Sequence, residues 1–267
     1  MSLTKRSVDV AGIPVGYYED GPSAGAVPPI ALVHGGTGHP ETSFAGLLEA
    51  FTPDRPVLVP GYSGSDLTPL PEDGKVDVDL LADQVLGVIR ASGKGPADLF
   101  GISTGAVVAA AAAARAPELV RRMVLLGGFL HYRHPWQRLL VRTWRKLAEL
   151  DANAFAEYTL LHVLSDRFLD SMSPVERLRL RSGLAPTQGM VELVDFVSRV
   201  DITEHVRKIE APTLVLGMTH DQLVPVRYAR EFRAAIPGAD YVELDSGHAA
   251  AIEVPEELLK TINAFLA

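Results

Sequence analysis

The chain has 267 residues, 47% of them hydrophobic and 22% charged, with a net charge of -8 and no cysteine. That is enough apolar sequence for a sizeable core, and the ordinary charge content argues against disorder over most of the length. The acidic balance disfavours binding to nucleic-acid phosphates, and the missing thiols exclude disulfides, thiolate metal sites and a cysteine nucleophile.

The first residues, Met1 to Arg6, run into Ser7-Val8-Asp9-Val10 and not into an apolar stretch. No signal peptide is expected. The uncharged run from Gly101 to Ala114 is too short to span a bilayer. A soluble cytoplasmic protein is the expectation, with no membrane partner.

Val8–Val10 and Ile13–Tyr18 read as short strands joined by a turn at Ala11-Gly12. The stretch 21–29, rich in Gly, Pro and Ala, reads as a loop. Ile30-Ala31-Leu32-Val33 is a continuous apolar run, as in a strand buried on both faces. Val57–Val59 repeats that signal and ends at Pro60-Gly61. From Val78 to Ala91 the spacing is helical, with Leu81, Val85, Val88 and Ile89 on one stripe. A short strand at Asp98–Gly101, an alanine-rich helix from Thr104 to Arg115 and a strand at Met123–Leu126 follow. Strands and helices alternating over short connections predict parallel strands with crossover helices, hence an α/β fold.

The pattern changes between Phe129 and Lys208, where only helical spacing is visible. Leu140, Trp144 and Leu147 share one helix face and Arg138, Arg142 and Arg145 another. Further helical stretches lie near Ala154–Leu164, Pro174–Gly183 and Met190–Val200. Alternation returns with a strand at Thr213–Gly217, a helix at Pro225–Ala235, a strand at Tyr241–Leu244 and a last helix at Pro255–Phe265.

Gly101-Ile102-Ser103-Thr104-Gly105 matches G-x-S-x-G. Five residues with three fixed are weak evidence alone, but here they follow an apolar strand and open a helix, as a nucleophile elbow requires. The turn forces the serine into an unfavourable backbone conformation, and flanking glycines relieve the crowding. An N-cap role for Ser103 is the competing reading.

A serine nucleophile needs a base, and the base an orienting acid. His248, in Asp245-Ser246-Gly247-His248, follows the strand ending at Leu244. Asp221, in Met218-Thr219-His220-Asp221, follows the strand ending at Gly217. Both sit where α/β sites form, at the carboxyl ends of parallel strands, and the chain order Ser, Asp, His suits the motif. After the strand that follows the serine helix stands Gly127-Gly128-Phe129, without a carboxylate, which favours Asp221 as the acid. Asp245 is too near His248 in sequence to be the first choice. The loop His34-Gly35-Gly36-Thr37-Gly38 supplies oxyanion donors: the backbone amides of Gly36 and Thr104 are assigned, with His34 as a structural brace.

Together these residues resemble the α/β-hydrolase superfamily, in its branch of small cofactor-free esterases and related hydrolases. The markers are His34-Gly35-Gly36, Pro60-Gly61-Tyr62-Ser63-Gly64-Ser65, Gly101 to Gly105, Asp221 with Val224-Pro225, and Gly247-His248. The resemblance implies a mostly parallel eight-stranded sheet with helices on both faces. It divides the chain into a core of 1–128 and 209–267 and an inserted helical cap of 129–208. Position 102 is isoleucine and position 106 alanine, where many relatives carry a polar residue and a glycine. Relatives that hydrolyse epoxides or haloalkanes use an aspartate nucleophile, so Ser103 argues against both.

Cap aromatics, chiefly Phe129, Tyr132, Trp136 and Trp144, are the substrate-pocket candidates, with packing between cap and core as the alternative. Arg133, Arg138, Arg142 and Arg145 form either an attractor for an anionic acyl carrier or a solvated face. The expected activity is hydrolysis of an ester, thioester or lactone through an acyl-enzyme on Ser103, without metal or organic cofactor. The alternatives are acyl transfer, cyclisation or carbon–carbon hydrolysis on the same triad, and a ligand-binding receptor on the same scaffold. The expected partner is a small-molecule acyl substrate; a homodimer is compatible with the sequence.

Overall fold

The period-two alternation of the strands decides which side of the sheet each side chain takes. In the computed structural model, which describes residues 3–22, 27–36 and 39–267, Ile30, Leu32, Val57, Val59, Phe100, Val124, Leu126, Leu214 and Leu216 share one buried cluster. Their neighbours Ala31, Val33, Leu58, Leu99, Met123, Leu125 and Val215 belong to a second cluster on the other face. A sheet buried on both sides explains the continuous apolar runs.

The strands are β1 (Thr4–Val10), β2 (Ile13–Asp20), β3 (Ile30–Val33), β4 (Val57–Gly61), β5 (Ala97–Ile102), β6 (Val120–Leu126), β7 (Thr213–Met218) and β8 (Asp240–Leu244). They form one sheet in the order β1-β2-β4-β3-β5-β6-β7-β8. β2 pairs antiparallel with β1 and β4, and all other pairs are parallel. The expected hairpin turn is present, with positive φ at both Ala11 and Gly12, the twist a two-residue connection favours.

The helices are α1 (Pro40–Ser43), α2 (Ala45–Phe51), α3 (Val78–Ser92), α4 (Thr104–Arg115), α5 (Pro135–Leu150), α6 (Ala152–Val163), α7 (Asp166–Ser171), α8 (Pro174–Ser182), α9 (Gln188–Arg199), α10 (Thr203–Val206), α11 (Val226–Ala235), α12 (Ala250–Glu253) and α13 (Pro255–Leu266). The sequence reading placed no element between His34 and Val57, yet Phe44, Leu47, Leu48 and Phe51 at α2 are buried at helical spacing. So short a helix is marginal by itself and forms because its apolar face meets the sheet. The short α7, α10 and α12 escaped notice for the same reason.

Every residue from Ala106 to Ala113 in α4 is fully buried; small side chains let this helix lie close over the sheet. Six helices, α5 to α10, fill the excursion between β6 and β7. Their buried side chains, Leu140, Phe155, Leu193 and Phe196 among them, join the cluster that contains α3 and α4. No helix among the described residues is long and apolar enough to cross a membrane.

Candidate active site

At the top of β5 the chain reverses into α4 through Ser103, whose φ of 57° and ψ of -120° cost a non-glycine residue of order 1–3 kcal/mol. The two motif glycines exist because of close approach. A Cβ at Gly101 would stand 2.5 Å from the Gly105 carbonyl oxygen, and one at Gly105 would collide with the carbonyl oxygens of Val33 and His34. The Ser103 N–H donates to the Leu126 carbonyl (2.8 Å), which ties the elbow to the end of β6.

The next residue along β6 connects serine and histidine. Gly127 has φ 61°, and a Cβ there would lie 3.0 Å from His248 Cε1 and 3.2 Å from its Nδ1. The imidazole therefore rests on a glycine whose predecessor holds the Ser103 backbone. Sequence reasoning used Gly127 only to note a missing carboxylate; the composition of that loop carried no signal of contact with His248.

His248 Nδ1 donates to Asp221 Oδ2 at 2.6 Å, the short range of a charge-assisted bond. Both side chains are buried. Asp221 Oδ1 accepts from the backbone N–H groups of Leu223 (2.8 Å) and Val224 (2.7 Å). Three hydrogen bonds compensate the desolvated carboxylate and fix its direction. His220 points away and its Nε2 meets Asp245 Oδ1 at 2.8 Å.

Gly36 is brought against Thr104: a Cβ at Gly36 would lie 2.9 Å from Thr104 Oγ1. Thr104 is the first residue of α4, so its N–H has no intrahelical acceptor. Thr37 and Gly38 lie outside the described residues. Below this loop His34 is buried, its Nδ1 donates to the Gly35 carbonyl (2.8 Å), and its ring stacks on Tyr62 at 4.0 Å. The Tyr62 hydroxyl donates to the His34 carbonyl (2.6 Å). Burial pushes the His34 imidazole down to about 4, so it braces the loop as a neutral group.

Beside Gly36 a cleft of about 260 Å³ runs between Gly64 and the segment Thr187–Met190. The four aromatic pocket candidates are not among the residues that line it. Phe129 and Tyr132 are buried together, edge to face at 5.1 Å, and the Tyr132 hydroxyl is held well above its usual range by burial and then by the charge of Asp221. Trp144 is stacked on Phe155 and donates to Thr159 Oγ1 (2.8 Å), inside the α5–α6 contact. Trp136 is exposed, with the Arg227 guanidinium over its ring. Of the arginines, Arg133 pairs with Asp201 and Arg145 with Asp195 and Glu149, which leaves less free charge than the sequence suggested.

Glu253 was not anticipated. Its carboxylate accepts from the Ser165 N–H (2.8 Å), the Ser165 hydroxyl (2.5 Å) and the Gly247 N–H (3.2 Å). It thereby joins the histidine loop to the helical excursion, and the Ala249 N–H adds a bond to the Val163 carbonyl (3.0 Å). The pairing spans 88 residues in sequence, beyond any local pattern.

A strained serine at a strand-to-helix turn and a buried histidine–aspartate pair, linked through Leu126 and Gly127, form a candidate hydrolase-type site. The profile of the α/β-hydrolase fold matches residues 28–255, and the chain belongs to that family. Pyrrolizixenacetamide deacetylase of Xenorhabdus hominickii is 38% identical, over 98% of this chain and 97% of its own. The 2-hydroxymuconate semialdehyde hydrolase of Pseudomonas sp. (strain CF600) is 26% identical, over 98% and 93%. Among solved structures, the enol-lactonase of Burkholderia xenovorans LB400 superposes with a TM-score of 0.87 at 25% identity, over 98% of this chain and 99% of its own.

Proposed function

We propose that this hydrolase removes a small acyl group, acetyl foremost, from oxygen or nitrogen through an acyl-enzyme on Ser103. The observation that carries the reading is the buried Asp221–His248 pair resting on Gly127, one residue past the carbonyl that holds the Ser103 backbone. With Nδ1 committed to Asp221, the imidazole has Nε2 left to take the serine proton.

In the proposed sequence Ser103 Oγ attacks the carbonyl carbon as His248 accepts its proton. Asp221 orients the imidazole and stabilises the charge it acquires. The amides of Gly36 and Thr104 hold the oxyanion. His248 then protonates the departing alcohol or amine, and water, activated by the same histidine, releases the acid. In this reading the helical excursion, 129–208, is the cap: Leu193 and Gly189 of α9 pack against Gly64 and narrow the cleft beside Gly36. The full-length resemblance to a deacetylase supports a small acyl group. The carbon–carbon reading rests on a relative at 26% identity and stands second.

A fluorophosphonate probe should label wild-type protein on Ser103 and leave Ser103→Ala and His248→Ala unlabelled. Turnover of acetyl esters and acetyl amides, falling as the acyl chain lengthens, is the expected profile. Folded wild-type protein that takes no label from small probes would defeat serine catalysis. Labelling with turnover only of ring-cleavage diketones would replace the acyl reading with the carbon–carbon one.

A further inference from the structure

Two histidines and a glutamate meet at the seam between the helical excursion and α11. We infer that His131, His134 and Glu231 form a binding site for a zinc-class divalent cation that fastens the start of the excursion to α11.

The ligand atoms of the three side chains all lie within 4.8 Å of one another. His131 Nε2 stands 3.4 Å from Glu231 Oε1, and His134 Nε2 stands 3.7 Å from Glu231 Oε2. Both separations exceed the roughly 2.7–3.2 Å of an N–H···O bond, so the groups face one another across a gap. A tetrahedral ion with ligand bonds of about 2.0–2.2 Å sets its ligands some 3.3–3.6 Å apart. Each imidazole stands near that edge length from one Glu231 oxygen, and one atom from each side chain lies within 4.8 Å of the other two, so small side-chain rotations bring the three onto one ion. Two imidazoles and one carboxylate are a donor set that suits zinc, with a fourth position left for water. The opening is on the solvent side, where His134 and Glu231 are partly exposed.

The backbone presents these ligands in a fixed relation. Gln137, almost fully buried, accepts from the His134 N–H and donates through Nε2 to the His131 carbonyl, both at 3.1 Å. His131 also forms an isolated bridge with Asp201, which closes the excursion's two ends on each other. Glu231 rides on the middle of α11, the helix that follows the Asp221 loop. The ring of His131 has one nitrogen, Nδ1, buried without a hydrogen-bond partner among the described residues. A ligating histidine that lacks an acceptor for its other nitrogen typically binds about 10- to 100-fold more weakly, so the site is one of moderate affinity.

Tyr132, between the two histidines, is buried within reach of the Asp221 charge. A bound ion would hold the Tyr132 turn against α11 and stiffen that side of the active site without touching the reacting atoms.

The test is equilibrium dialysis of untagged protein against zinc chloride, followed by metal analysis and thermal unfolding. It is run in the His248→Ala background, so that zinc on the candidate catalytic histidine does not count. One zinc per chain is expected, with a melting temperature about 5 °C higher when zinc is at a hundredfold excess over its Kd. His134→Ala and Glu231→Gln, both at partly exposed positions, should each weaken zinc binding at least tenfold while the metal-free proteins melt together with their parent. No retained zinc, or retention unchanged in both variants, would overturn the site.

Discussion

Two histidine–aspartate pairs join the same two loops, and they cross. The loop after β7 gives His220 and Asp221; the loop after β8 gives Asp245 and His248. Asp221 pairs with His248 in the interior, with side-chain exposures of 0% and 7%. His220 pairs with Asp245 at the surface, where the exposures are 45% and 64%. The inner carboxylate is fixed by two backbone N–H groups besides the imidazole. The outer one leans on Arg167, whose guanidinium, followed by His220, holds the Asp245 carboxyl below its usual range. Chemistry and sequence spacing are nearly the same in the two pairs. What separates them is solvent, which screens the outer pair to a weak contact, and the fixed donors that keep the inner one aimed.

The widest separation between the pairs should come from paired substitutions. Asp221→Asn should lower kcat of the proposed acyl transfer about 10⁴-fold, by favouring the wrong imidazole tautomer. Asp245→Asn, measured on the same substrate, should change it by no more than about twofold. Equal losses in both variants would mean that burial does not separate the two pairs, and a loss confined to Asp245→Asn would make the outer pair the working one.

Gly127→Ala attacks the support of the inner histidine, with the flexible end of Met218 the other group its methyl would meet. Its methyl would press on the imidazole in a positive-φ position, and a displacement of about 1 Å at a reacting group costs on the order of 10² in rate. A fall in kcat with little change in fluorescence-monitored folding is the expected signature; wild-type rates would mean that the ring does not depend on this contact.

Smaller still is the effect of the other buried histidine, His34. Its folded pKa is depressed to about 4 from the usual 6.5, so between those values the unfolded chain binds a proton that the folded one refuses. The stability linked to this group is complete above about pH 6.5 and is lost as pH falls to 4, by about 3 kcal/mol in all. Urea unfolding from pH 7 to 4 should show a flatter profile for His34→Asn than for wild type. Parallel profiles would assign acid sensitivity to other groups. His220→Ala closes the series, with activity expected to stay within about twofold of wild type.

The sheet was legible because each buried strand announces itself as an apolar run, and β3, β4, β5 and β6 all do. The elbow was legible because a strand, two glycines around a serine and an alanine helix leave few other conformations. Asp221 and His248 were singled out by their position after strands, and the structure pairs them. The short helix α2 was not found, because its stability comes from the surface it packs on. The aromatics of the excursion were visible as apolar residues, but nothing in their spacing tells a cleft wall from a helix–helix contact. Trp144 took the latter place and Trp136 neither.

Sequence alone therefore determined the alternation of the core, the strained turn at Ser103 and the candidate residues around it, since these depend on periodicity and on local sterics. Tertiary structure decided which of two histidine–aspartate pairs is dry, that Gly127 carries the His248 ring, that Glu253 reaches Ser165, and that Glu231 faces His131 and His134. Those relations depend on burial and on contacts between segments up to about 120 residues apart. Solvent exclusion and through-space geometry leave no local trace in the order of residues along a chain.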